Sequence, residues 1–325
     1  MTKIIIDALG ADAGFEPIVT GVANALNSGL DFFPILVGPA EKLQNILKQQ
    51  NIAPACYELI DTCEYIRQED APSCIFGGCE ETSMVKAYKR LKNDSTCGAM
   101  LSAGNTGALL VGSICRLGLV PGLKFPALLS ALPCNGENLL CLVDCGANME
   151  CTAEDLVRFA KMGNAFAKCF CGIPQPRIGL MSVGREQGKG TALVQQAHAL
   201  LREQELNFIG NVEGCDLVSN YADIIVTDGF SGNLLLKCAE SVGKAAAKIL
   251  EQYGNSTSEI NKCRTILLDM FDFNSRGAAT FLGPQKTVVK MHGQANEQTV
   301  LASINQVLTL EKSGFSKAVA AELSK

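Results

Sequence analysis

Short apolar runs rich in Ile, Val and Leu alternate along this chain with longer stretches whose apolar residues recur every three or four positions. The runs at 3–8, 33–37, 57–60, 97–101, 127–132, 139–143, 178–183, 207–209, 223–226 and 287–291 predict strands. The periodic stretches at 16–30, 41–50, 80–92, 153–171, 258–271 and 299–311 predict helices. Further helices are expected to begin at Ala108, to end at Gln204 and to end near Gln252. Thr152 reads as the N-cap of the 153–171 helix, with Glu154 and Asp155 in its first turn.

Strands that alternate with helices give a mainly parallel sheet covered on both faces. No linker rich in Pro, Gly or Ser divides the chain, and no repeat of about 20–50 residues recurs. The expectation is one compact α/β unit over residues 1–325, built at most of two interlocked lobes.

Six of the predicted strands run into turns loaded with Gly, Asn, Asp, Ser, Glu or Lys: those after Ala8, Leu101, Val143, Val183, Ile209 and Thr227. In an open parallel sheet, ligands bind beyond the carboxyl ends of the strands, so these turns are expected along one edge. In the second turn, Ser102-Ala103-Gly104-Asn105-Thr106-Gly107 separates an apolar strand from a helical pattern. Gly104 and Gly107 let the backbone approach a ligand, and the helix N-terminus offers free N–H groups to an anion. Ser102, Asn105 and Thr106 could add side-chain donors. The alternative is an ordinary strand-to-helix turn capped by Asn105 or Thr106.

The contents of that edge narrow the chemistry. No His stands in the six turns, whereas Lys189 lies between Gly188 and Gly190, and Asn recurs at 105, 148, 211 and 233. Amide donors with one cation suit anion binding and oxyanion stabilisation, and suit a Ser-His-Asp triad poorly. A Walker-type phosphate loop is approached at 184–191, but its glycine spacing is one residue short and Gly190 intrudes before Thr191. A cation is disfavoured at a helix start, which favours a ligand role for Lys189 over simple solvation. Asp228 reads equally as a helix cap, Glu213 as a loop carboxylate and His198 as a structural mid-helix residue. His292, just before Gly293, could face the same edge.

The net charge of −5, with no basic block, leaves nucleic acid an unexpected partner. No apolar run approaches the roughly 18 residues of a membrane span; the best, 108–120, is interrupted by Arg116. Asp7 arrives too soon for an export signal. The 15 cysteines are odd in number and form no C-x-x-C, so a reducing cytosol and no disulfides are expected, with most thiols packed as small core residues. Two histidines give a zinc site thin support, and no metal is expected.

These segments resemble the PlsX family of bacterial phosphate acyltransferases. The matching residues are Asp7-Ala8-Leu9-Gly10-Ala11-Asp12, Ser102-Ala103-Gly104-Asn105-Thr106-Gly107-Ala108, Asp144-Cys145-Gly146-Ala147-Asn148, and Gly188-Lys189-Gly190. They continue with Asn207-Phe208-Ile209-Gly210-Asn211-Val212-Glu213-Gly214 and Asp228-Gly229-Phe230-Ser231-Gly232-Asn233. The resemblance extends from Lys3 to roughly Gly293.

It implies a three-layer α/β/α fold like that of isocitrate and isopropylmalate dehydrogenases, shared with phosphotransacetylases. It implies conversion of acyl-acyl-carrier-protein and inorganic phosphate into acyl phosphate and free carrier protein, feeding phospholipid synthesis. It also implies a cytoplasmic homodimer in peripheral contact with the inner face of the membrane, and no organic cofactor. Lys189 and Asn233 stand where the family has its catalytic candidates. Substrate and phosphate contacts are then expected from Ser102, Gly104, Asn105, Thr106, Gly107, Asn211, Glu213 and Asp228.

The chain departs from the family pattern at three places. Gly10-Ala11 replaces a Gly-Gly pair, and Arg185 stands where an acidic residue is common. The link at 253–257 is short and polar where relatives carry a longer apolar tip, so weak membrane contact is expected.

The expected mechanism is direct displacement. Phosphate, held by the 102–107 turn and Lys189, attacks the thioester carbonyl while Asn233, with Asn211, stabilises the oxyanion. A decarboxylating dehydrogenase of the same fold would need a metal-binding carboxylate cluster and a nicotinamide site, whereas Asp144, Glu213 and Asp228 sit on different turns. A scaffold that only binds carrier protein would have no need of both Lys189 and Asn233.

Overall fold

The computed structural model of the chain describes residues 1–134, 138–253, 258–271 and 277–325. The strands among them are β1 (Thr2–Asp7), β2 (Phe32–Gly38), β3 (Glu58–Asp61), β4 (Cys97–Ser102), β5 (Ala127–Pro133), β6 (Leu139–Val143), β7 (Ile178–Met181), β8 (Phe208–Val212), β9 (Ile224–Val226), β10 (Ala279–Leu282) and β11 (Thr287–Lys290). The α-helices are α1 (Glu16–Asn27), α2 (Ala40–Gln49), α3 (Ser83–Asn93), α4 (Thr106–Gly112), α5 (Ala153–Cys169), α6 (Ala192–Arg202), α7 (Gly229–Tyr253), α8 (Ser258–Phe271), α9 (Glu297–Lys312) and α10 (Phe315–Leu323). They form two compact units, one of residues 1–126 with 277–324 and one within 127–276.

In the first unit β3, β2, β1, β4 and β11 run parallel in that order, and β10 pairs antiparallel with β11. The chain passes from β1 to β2 on one side and returns as β4 on the other. The order reverses there, so the turns after Asp7 and Ser102 flank a topological switch point. Period-two alternation sends Ile4 and Ile6 of β1 into a core cluster with Leu36, Leu101 and Val289, beneath α1, α2 and α9. Ile5 points to the opposite face and is equally buried, with α3 packed over β1 and β4 there. Burial on both faces is why these strands read as continuous apolar runs.

In the second unit the order is β5, β6, β9, β7, β8, with β5 antiparallel to β6 and the rest parallel. Helix α5 lies over β6 and β9, where Gly163 faces Val143 and Ile224. A capping box starts α5: Thr152 Oγ1 accepts the Asp155 N–H at 3.2 Å, and Asp155 accepts the Thr152 N–H at 3.0 Å.

Most predicted elements form near their expected bounds. Strand β8 is a correction, because residues 210–212, read as a turn, belong to the strand. The register slips at its start, pairing Ile178 with Phe208 but Gly179 with Gly210. Gly210 takes φ +96°, so a bulge hides strand residues behind a turn-like Gly-Asn pair. Strand β10 and helix α10 had no prediction: four residues and nine residues give little periodicity.

The cysteines are a second correction. Only Cys97, Cys134, Cys141 and Cys145 are buried, whereas Cys56, Cys63, Cys115, Cys215, Cys238 and Cys263 are exposed. An apolar residue type carries no address by itself, and several of these sit on the outer faces of helices and loops.

In α8 the predicted apolar stripe divides. Phe271 packs against Gly243 of α7, while Ile266 is 53% exposed. Apart from the backbone of Tyr253, the 253–257 link lies outside the described residues. Among the described residues no helix is long and apolar enough to cross a membrane.

Candidate functional site

In the first unit the turns after β1 and β4 interlock. Gly10 has φ +83°, and a Cβ on it would come within 2.9 Å of the Gly104 Cα. Ala11, at the departure from a Gly-Gly pair, packs against the core cluster instead. The Ser102 hydroxyl donates to Asp7 Oδ2 at 2.8 Å and accepts the Gly104 N–H at 3.0 Å. Asp7 and Ser102 are both buried, and burial pushes the Asp7 carboxyl up to about 6. The hydroxyls of Ser83 and Ser102, the Leu9 N–H and the Lys290 ammonium act against that rise.

Asn105 is fully engaged. Its Oδ1 accepts the Ala108 N–H at 2.9 Å, and its Nδ2 donates to the carbonyls of Arg67, Gln68 and Asp70 at 3.0–3.1 Å. It caps α4 and pins the 67–70 loop, leaving no donor for a ligand. The N–H groups of Thr106 and Gly107 lie in the first turn of α4, where helix geometry gives them no partner. Lys290, which the sequence reading passed over, ends β11 in register with Ser102 and donates to the carbonyls of Ala103 and Met291. A Lys closing a β-branched run was the available signal. His292 stands just beyond, its Nδ1 accepting the Gln294 N–H at 3.1 Å.

In the second unit the parallel strands β6, β9, β7 and β8 bring their C-terminal turns to one edge. Asp144, just past β6, is buried and accepts five hydrogen bonds. They come from the N–H groups of Leu128, Gly146, Ala147 and Asn148 and from the Asn148 amide, at 2.7–3.1 Å. This carboxylate shapes the 145–148 turn. The first turn of α7 rests on it: a Cβ on Gly232 would strike the Asp144 carbonyl oxygen. Asp228 caps α7 through the Ser231 N–H at 2.8 Å.

Asn233 follows one residue after Gly232. It is exposed, and its side chain lies 3.7 Å from where a Cβ on Gly146 would stand. Among the described residues its amide makes no hydrogen bond. Lys189 is also exposed and forms no ion pair among the described residues. Its stem passes over Gly184, where a Cβ would meet Lys189 Cγ at 3.1 Å. The Gly190 backbone, at φ +95°, then turns the chain into α6, which Thr191 caps through the Val194 N–H.

Two further residues hold this loop. Asn211 Nδ2 donates to the carbonyls of Glu186 at 2.9 Å and Gly184 at 3.4 Å, and Asn211 Oδ1 lies 2.9 Å from His198 Nδ1. With the amide nitrogen donating, Oδ1 must accept, so His198 carries its proton on Nδ1. Asn211 therefore organises the Lys189 loop from below, and its buried amide has no donor left for an oxyanion. Arg185 pairs with the buried Asp216 at 2.8 Å and stacks on Tyr221 at 4.2 Å. Asp216 was not among the sequence candidates. Glu213 joins it in a reciprocal cap, its N–H donating to Asp216 Oδ2 at 2.9 Å.

The loops after β7 and β9 share a cavity of about 270 Å³, whose lining includes Leu156, Leu180, Val183, Gly190, Val194 and Asp228. Lys189 immediately precedes one part of this lining, and Asn233 closely follows another.

A family model described as fatty acid synthesis protein matches residues 2–318. The phosphate acyltransferase of Clostridioides difficile (strain 630) is 33% identical over 318 residues, 95% of this chain and 93% of the relative. That of Streptococcus uberis is 36% identical over 319 residues, 95% of this chain and 94% of its own. Among solved structures, a phosphotransacetylase from Streptococcus pyogenes superposes with a TM-score of 0.63 at 19% identity, covering 100% of this chain and 95% of that one. A branched-chain phosphotransacylase from Enterococcus faecalis V583 gives 0.62 at 15% identity, covering 95% and 98%. These two likenesses show the fold.

Proposed function

Because the chain belongs to the fatty acid synthesis protein family, in which its relatives are phosphate acyltransferases, we propose that it makes acyl phosphate from acyl-acyl-carrier-protein and inorganic phosphate, with Lys189 and Asn233 at the reaction. It is a transferase of phospholipid synthesis, and its reaction requires an acyl donor and phosphate. The observation that carries the residue assignment is the cavity lined jointly by Gly190 and Thr191, next to Lys189, and by Asp228 and Ser231, next to Asn233.

Phosphate is the nucleophile. One of its oxygens attacks the thioester carbon, the carbonyl oxygen gains negative charge, and the carrier's sulfur leaves as thiolate. Lys189, an ammonium without a carboxylate partner among the described residues, neutralises phosphate and draws it toward the carbonyl. Asn233 presents an uncommitted amide to the developing oxyanion, a preorganised donor of the kind that contributes most to such reactions. Ser102, Asn105 and Asn211 hold backbone in place through hydrogen bonds already made, and Glu213 and Asp228 act as caps. No cysteine is needed as a nucleophile.

The reading extends to a homodimer, because α7 leaves Val242 and Ile249 58% and 57% exposed along its length. Light scattering that gives twice the chain mass would support this, and a monomer at micromolar concentration would remove it. For the reaction, the test is purified protein with acyl carrier protein thioester and phosphate. Thioester loss that depends on phosphate, with acyl hydroxamate trapped by hydroxylamine, is expected. Loss without phosphate, with acyl group retained on the protein, would replace displacement by a covalent route.

A further inference from the structure

We propose that the cavity beneath Gly190 receives the acyl chain, holding the carbons next to the reacting carbonyl, and that Val194 sets how much chain it admits. This rests on the acyltransferase reading. The base of the cavity is hydrocarbon: Leu156 and Leu180 are 1% and 0% exposed. Val183 at its mouth is 82% exposed, an apolar side chain that folding leaves in water beside an apolar recess.

Two polar groups of the lining already serve as helix caps. Asp228 Oδ1 accepts the Ser231 N–H at 2.8 Å, and Thr191 Oγ1 accepts the Val194 N–H at 3.3 Å. The Ser182 hydroxyl has no partner among the described residues but is sealed from solvent, 2.9 Å from where a Cβ on Gly190 would stand. The apolar base formed by Leu156 and Leu180 offers a polar guest no hydrogen-bond partner and suits an alkyl chain.

Size points the same way. About 270 Å³ falls just below the roughly 300–1,000 Å³ of sites that enclose a drug-sized ligand. It suits a run of methylenes and is too small for a carrier arm with its amides. Position agrees, since Lys189 directly precedes Gly190 of the lining and Asn233 follows Ser231 of the lining by two residues. Val194 is half-buried on the first turn of α6 and lines the recess, so a larger side chain there takes up part of its volume.

The experiment compares kcat/KM for acetyl, octanoyl and palmitoyl thioesters, with phosphate saturating, in the wild type and in Val194→Phe and Val194→Ala. Val194→Phe should lower the palmitoyl-to-acetyl ratio by at least about tenfold, as expected when a pocket loses space for methylenes. Val194→Ala should change the ratio the other way. The melting temperature checks folding, and if Val194→Phe fails to fold, Val194→Ala alone decides. An unchanged ratio in the folded variants would overturn the proposal. So would an equal loss across all donors, which would give the recess to the carrier arm. If the wild type makes acyl phosphate from none of the donors, the acyltransferase reading itself falls, and this proposal with it.

Discussion

Lys189 owes its availability to its neighbours. Gly188 and Gly190 remove side chains on either side, and Gly184 leaves room for its stem. Its removal should therefore affect transition-state charge far more than the fold. We expect Lys189→Ala to lower kcat by roughly 10²–10³-fold, the usual effect of deleting one preorganised donor, with a nearly unchanged melting temperature in the absence of phosphate. Lys189→Arg should recover little, since a planar fork is a poor substitute for a compact charge in a glycine-lined turn. A folded Lys189→Ala enzyme that keeps more than about a tenth of kcat would take Lys189 out of the mechanism.

Asp7 acts on stability. Burial lifts its carboxyl from the ordinary 3.8 to about 6, so between these values the native state holds a proton that the unfolded chain has released. Its contribution is fully present below the lower value and is lost as pH rises through the upper one. The loss amounts to roughly 3 kcal/mol. Asp7→Asn should flatten that segment of the stability profile, read from urea midpoints at successive pH values. A parallel pair of profiles would refute the assignment.

At the level of elements, the loops that carry Lys189 and Asn233 are shaped by buried polar residues on neighbouring strands. Asn211 in β8 ties down the 184–186 backbone, and Asp144 after β6 gathers four N–H groups under α7. Asn211→Ala removes one acceptor and one donor group at a site where water cannot replace them. It should cost roughly 1–3 kcal/mol of stability and lower kcat together, because the Lys189 loop loosens. A loss of kcat at unchanged melting temperature would instead return Asn211 to a direct role at the oxyanion. Gly210 and the bulge beside it are what turn Asn211 inward, and this is why a residue that read as a turn donor serves as a strut.

Across the molecule, thiol exposure gives a direct test of how each unit is folded. A thiol reagent on native protein should modify Cys56, Cys63, Cys115, Cys215, Cys238 and Cys263 first, while Cys97, Cys134, Cys141 and Cys145 react only on unfolding. Mass mapping that finds Cys97 or Cys145 labelled early would contradict the fold. Denatured protein should show all 15 thiols.

Local periodicity was enough for the alternation of strands and helices, the Thr152 cap, and the gathering of Gly- and Asn-rich turns at strand ends. These depend on spacing within about a dozen residues, and on the rule that parallel strands put their C-terminal turns on one edge. The Gly188-Lys189-Gly190 motif was legible for the same reason. What each polar side chain does was not. Ser102 finds Asp7 at a separation of 95 residues, Asn105 meets a loop 35–38 residues away, and Asn211 reaches back 25–27 residues to the Lys189 loop. Donors of one chemical type thus divide into those already bonded and those left open, and only long-range packing decides which is which. The same holds for the cysteines and for the acyl-sized recess. Sequence supplies the apolar residues, but β7, α5 and α6 must come together before Leu156, Leu180 and Val194 enclose a space.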